Sequence, residues 1–89
     1  MATLFVRHPV SDYKAWRKVY DDFSSVRKSL GVKAAAVYQA ANNPNDITVT
    51  HEFATLEAAQ AFAKSAELKK AMQNAGVMGA PTIWFTTKV

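Results

Sequence analysis

Seven residues, Ile47-Thr48-Val49-Thr50-His51-Glu52-Phe53, alternate apolar and polar without a break. A period of two marks a strand with one face buried and the other turned away from the core. Ile47, Val49, His51 and Phe53 form the row expected to face the core, and Thr48, Thr50 and Glu52 form the other. The buried row therefore carries an imidazole, a group that titrates near neutrality and needs a reason to be inside. The rest of the chain must supply a cover for that row.

The other segments follow in order. Thr3 to His8 alternates as a short strand, with Leu4, Val6 and His8 on one face and Thr3, Phe5 and Arg7 on the other. Pro9 removes a backbone donor and discourages further pairing. Ser11 is the expected N-cap of a helix, with Asp12 in its first turn. Tyr13, Trp16, Val19, Tyr20, Phe23, Val26 and Leu30 then recur at steps of three and four, a stripe predicting one helix of about five turns that stops at Gly31. Val32 to Ala41 reads as a second strand. Asn42-Asn43-Pro44-Asn45-Asp46 is dense turn chemistry, so it joins the second strand to the 47–53 strand as a hairpin. The register stays open: a four-residue loop sets Tyr38 opposite His51, and a five-residue loop sets Val37 there. Thr55 caps a second helix with Leu56, Ala59, Phe62 and Ala63 as its stripe. Ser65 kinks it or caps a second piece, in which Leu68, Ala71 and Met72 continue the apolar side as far as Gly76. Thr82 to Val89 alternates as a last strand.

The element order is β-α-β-β-α-β. Two right-handed crossovers around a hairpin predict an α+β ferredoxin-like sandwich, with a four-stranded antiparallel sheet in strand order 4-1-3-2 and both helices on one face. With 89 residues, 1–89 is read as a single domain. The first and last strands are then neighbours, so Phe5 and Trp84 can pair on the open face, where Arg7 and Glu52 can also form an ion pair. Two large aromatics on a half-polar sheet predict a two-fold homodimer with the open faces packed together.

Composition excludes several classes. There is no cysteine, hence neither a disulfide framework nor a thiolate metal site. No apolar run reaches the ~20 residues a membrane span needs. The N-terminal segment lacks a basic stretch before its apolar residues, so no secretory signal is read and a soluble cytoplasmic protein is expected. The formal charge of +4 raises nucleic acid as a partner. However, Lys14, Arg17, Lys18, Arg27 and Lys28, and likewise Lys64, Lys69 and Lys70, are interspersed with acids, which reads as solvated helix faces. An RNA-recognition module shares the element order, but Glu52 on the open face opposes phosphate.

Four stretches carry a resemblance: Val6-Arg7-His8-Pro9-Val10-Ser11-Asp12-Tyr13-Lys14-Ala15-Trp16; His51-Glu52-Phe53-Ala54-Thr55-Leu56-Glu57-Ala58-Ala59-Gln60-Ala61-Phe62; Ser65-Ala66-Glu67-Leu68-Lys69-Lys70-Ala71-Met72; and Ala75-Gly76-Val77. Over nearly its whole length the chain resembles the dimeric α/β-barrel proteins related to the antibiotic-biosynthesis monooxygenases. The resemblance implies a ligand cavity between sheet and helices. It implies a chemistry drawn from cofactor-independent oxygenases, polyketide cyclases, haem-degrading enzymes or isomerases. Trp16 can stand for the tryptophan such oxygenases use, but the first strand offers no matching asparagine. The axial histidine expected on the second helix for haem degradation is lacking between Thr55 and Ala75.

His51 is the candidate acid or base, weighed against a core imidazole held by one hydrogen bond. His8 is a candidate ligand-binding residue, weighed against a strand-end residue bonded to water or to the Pro9-Val10 turn. Tyr13, Trp16, Tyr20, Phe23, Tyr38 and Phe62 are candidate cavity walls, and a tyrosine can also donate to a developing oxyanion. Antiparallel pairing sets His8 near Ile47 and His51 near Leu4, ~13 Å apart. That is too far to share one metal, so neither metal nor cofactor is expected. The ligand class expected is an aromatic or polyketide-like molecule. The alternative is a non-catalytic dimeric binding or regulatory protein.

Overall fold

The computed structural model describes residues 1–89. Its elements are β1 (Ala2–Pro9), α1 (Tyr13–Asp22), α2 (Ser24–Ser29), β2 (Ala34–Ala40), β3 (Asn43–Phe53), α3 (Leu56–Ala63), α4 (Ala66–Asn74) and β4 (Thr82–Thr87). The four strands form one antiparallel sheet in the order β2-β3-β1-β4. This is the ferredoxin-like arrangement expected from the alternating strands and the two helical stripes.

Register carries the pattern into three dimensions. Leu4 pairs with His51, Val6 with Val49 and His8 with Ile47 across β1 and β3. That side of the sheet meets the helices. Leu4, Val6 and Phe53 pack with Ala59, Phe62 and Leu68, while Ile47 and Val49 pack with Trp16 and Ala75.

Caps fix where the helices begin. The Asp12 carboxylate accepts from the Ala15 amide at 3.1 Å, so Asp12 and not Ser11 is the N-cap of α1. Thr55 and Ser65 cap α3 and α4 through the amides of Ala58 and Leu68, each at 3.2 Å. The second helix is therefore divided at Ser65, one of the two forms expected.

Four expectations are corrected. The first helix is two pieces, divided at Phe23. Two aspartates before that point and two serines after it are weak helix formers. In the hairpin, Ala35 lies opposite His51 and Val37 opposite Val49, which excludes both proposed registers. The asparagine-rich stretch is not all turn: β3 begins at Asn43, with an irregularity between Gln39 and Ala40. Asn45 explains this, because its carbonyl oxygen accepts from Val10 and its side chain accepts from the Tyr13 amide, tying the stretch to the start of α1. Finally, Arg7 does not reach Glu52, which pairs four positions away with Thr3. It forms a two-pronged pair with its diagonal neighbour Asp46 instead, at 3.1 and 2.7 Å.

The open face is as expected in its aromatics. Phe5 and Trp84 are partners in register and stack with ring centroids 5.1 Å apart. Trp84 is 40% exposed.

Candidate functional site

A cavity lies between the sheet and the helices. The sheet contributes Val6, His8, Val49 and His51; α1 contributes Trp16, Val19 and Tyr20; the break after α1 contributes Phe23 and α2 contributes Arg27; Leu68, Ala71, Met72 and Ala75 close it from the side of α4. It is small, about 40 Å³ counted as space for the centre of a water molecule. That is room for two or three waters at roughly 15 Å³ each.

Both imidazoles lie in its wall because strand alternation puts residues 8 and 51 on the helix side. His8 is 3% and His51 4% exposed. Neither nitrogen of His8 has a hydrogen-bond partner in the protein, and neither has Nδ1 of His51. Buried polar atoms in folded proteins are nearly always paired, so three orphans around one cavity are an exception that calls for a partner. The His8 ring packs 5.8 Å from Trp16, and the His51 ring 5.0 Å from Phe62.

Burial favours the neutral imidazole. It pushes His51 down to about 4, with the nearby Arg27 charge acting in the same direction. It also lowers His8, where the Asp46 carboxylate works against it. Both rings are thus neutral at pH 7, each with one donor and one acceptor nitrogen to offer.

Arg27 is the charged member of the wall. It was expected on a solvated helix face, yet it is buried at 8% exposure. Its guanidinium carbon sits 3.8 Å from the centre of the Tyr20 ring, and one of its nitrogens donates to the Tyr20 carbonyl. The two ion pairs in the protein, Arg7–Asp46 and Arg17–Asp21, leave Arg27 without a carboxylate. A sequence signal for it exists. Residues 16, 20, 23 and 27 fall on one helical stripe, and an arginine in an aromatic stripe points inward.

Of the residues expected to form the site, His51, His8, Trp16, Tyr20 and Phe23 meet at the cavity, while Tyr13 stacks on Trp16 without lining it. Phe62 does not line it; it packs behind His51 against Phe53 and Phe23. Tyr38 lies on the other side of the sheet, paired with Thr48 and 57% exposed, because Val37 takes the helix side, as it would in the five-residue-loop register and not in the four-residue one. Val6, Val49, Arg27 and Met72 are wall residues that residue spacing did not single out.

The fold and this cavity define a ferredoxin-like α+β sandwich with a pocket under its helices, the fold of the antibiotic-biosynthesis-monooxygenase-like proteins. No protein-family model and no curated protein sequence matches the chain. Solved structures do. A proposed antibiotic biosynthesis monooxygenase from Bordetella bronchiseptica superposes with a TM-score of 0.84 at 13% identity, over 99% of this chain and 96% of that one. SnoaB, a cofactor-independent oxygenase from Streptomyces nogalater, gives 0.80 at 9% identity, over 99% and 92%. A protein of unknown function from Nitrosomonas europaea gives 0.75 at 20% identity, over 96% and 85%. At these identities the likeness establishes the fold.

Proposed function

We propose that this protein binds a small aromatic or polyketide-like molecule in the sheet–helix cavity, with His51 exchanging a proton with it. The carrying observation is the pair of buried imidazoles with unpartnered nitrogens in the wall of one otherwise apolar cavity. Cofactor-independent oxygenation and polyketide cyclisation, the activities suggested by the resemblance, both begin by removing a proton from an acidic C–H or O–H. A neutral imidazole can take that proton, although burial makes His51 a weak base, with a pKa of about 4. A bicyclic ligand needs more space than the cavity has at rest. Val19, Phe23 and Ala71 line both the cavity and an outer groove of about 290 Å³ between α1, α2 and α4, so separation of these helices supplies the entry.

Titration with 1-naphthol, followed by amide NMR, tests this. Signals of Trp16, Val49 and His51 should move while Thr48 and Thr50 on the far face stay in place. Changing His51→Gln should weaken binding about 5- to 10-fold, the range for one net hydrogen bond. Shifts confined to the open face, or none, sink the reading.

A specific observation favours the non-catalytic alternative: no side chain hydrogen-bonds Nδ1 of His51 to orient the ring, as a base in catalysis usually requires. In that reading the cavity binds and does not turn over.

The protein is further proposed to work as a homodimer through the open sheet face, with Phe5 and Trp84 at its centre and Arg7 and Glu52 beside them. The support is the exposed aromatic stack on a sheet face that no helix covers. Sedimentation at micromolar concentration should give twice the 9.8 kDa protomer mass, and Trp84→Glu should return the protomer. A wild-type protomer mass contradicts it.

A further inference from the structure

We infer that the cavity selects an organic anion, its charged oxygen seated between the guanidinium of Arg27 and the imidazole of His51. This deepens the proposed function and rests on the cavity being the ligand site. Three independent features lead to it.

The cavity carries one fixed charge and no counter-charge. Arg27 is its cation, and no aspartate or glutamate lines it. Asp21 and Asp22 on α1 and Glu67 on α4 are outside: Asp21 is paired with Arg17, while Asp22 and Glu67 border the outer groove. An unpaired buried guanidinium is a costly arrangement, relieved by an anion with matching geometry.

The guanidinium is pre-positioned. The Tyr20 ring lies against one of its faces and the Tyr20 carbonyl takes one of its nitrogens, so the side chain is held with donors to spare out of its five N–H groups. An anion arriving there meets a cation whose ordering entropy is already spent.

His51 completes the seat. Its ring lines the same cavity as Arg27, and the guanidinium charge disfavours the imidazolium. At rest the ring is a neutral donor for an oxyanion. A ligand already ionised at pH 7 needs no proton transfer, and its oxyanion takes the donor nitrogen of His51 and a guanidinium N–H of Arg27 together. Trp16, Val49 and Met72 supply apolar walls for the rest of the molecule, which excludes inorganic anions as the preferred occupant.

Benzoate and benzamide have nearly the same shape and differ in charge. Each is titrated into the full chain at pH 7 and followed by amide NMR at Trp16, Val49 and His51. Benzoate is expected to bind at least ~10-fold more tightly, the factor for one charge-assisted hydrogen bond. Arg27→Gln should abolish that preference, and Arg27→Lys should restore part of it. The wild-type comparison needs no variant to fold. Equal binding of the two probes at the cavity overturns the anion proposal and leaves the cavity as the ligand site. Failure of both probes to reach the cavity at millimolar concentration overturns both. Retention of the benzoate preference in a folded Arg27→Gln protein removes Arg27 from the account.

Discussion

Phe62→Ala lowers the unfolding free energy by about 3–5 kcal/mol, the range for emptying a buried phenylalanine site. Phe62 is 1% exposed and touches three rings, those of Phe53, His51 and Phe23, at centroid distances of 5.4, 5.0 and 6.5 Å. Two of these rings stand on β3 and the third at the junction of α1 and α2, so no single neighbour can move to fill the void. A domain of this length has about 5–13 kcal/mol in all. The variant should therefore lose roughly a quarter or more of its stability in urea unfolding, and Phe62→Leu should lose much less. A loss under about 1.5 kcal/mol for the alanine variant means that the helices are not packed on the sheet as described. The position also connects core to site. Phe62 backs the His51 ring, so a hole there admits water to the imidazole and raises the pH at which it takes up a proton.

Acid should destabilise the protein through that same imidazole. In the unfolded chain His51 takes a proton near its ordinary value of 6.5; in the fold it takes one only at about 4. Above pH 6.5 neither state is protonated, and the group contributes no slope. Between 6.5 and 4 the unfolded state binds the extra proton, so stability falls with pH. The loss attributable to His51 is about 2 kcal/mol between pH 7 and pH 5 and about 3 by pH 4. His8, also lowered, adds in the same direction. Urea unfolding at pH 7 and pH 5 measures the effect. His51→Leu, an apolar side chain in an apolar wall, should reduce the difference by about 2 kcal/mol. An unchanged difference shows that His51 ionises equally well in both states and is not buried.

Much of this was readable from residue spacing. The strict alternation of 47–53, together with that of 3–8 and 82–89, set the faces of the sheet, and the element order with right-handed crossovers set its strand order. The pairs Leu4–His51, His8–Ile47 and Phe5–Trp84 follow from it. Register in β2 did not follow, because an alanine-rich strand packs almost equally well at several offsets. With the register went Tyr38, which changed face. The stretch 43–46 was misread for a different reason: Asn45 uses its turn-forming side chain on the α1 amide rather than within a local turn. Arg27 was misread because charge alone suggested solvent, whereas its spacing from Trp16, Tyr20 and Phe23 placed it inward.

The proton on His51 is the most direct witness to the whole account, since its position depends on register, on helix packing and on the cavity at once. Long-range ¹H–¹⁵N NMR of the two imidazoles from pH 8 to pH 3 reads it residue by residue. The folded-state signal of His51 should remain that of a neutral ring down to about pH 4. Half-protonation of that signal near pH 6.5 in the folded protein would place the ring in solvent and contradict the cavity and the function proposed for it.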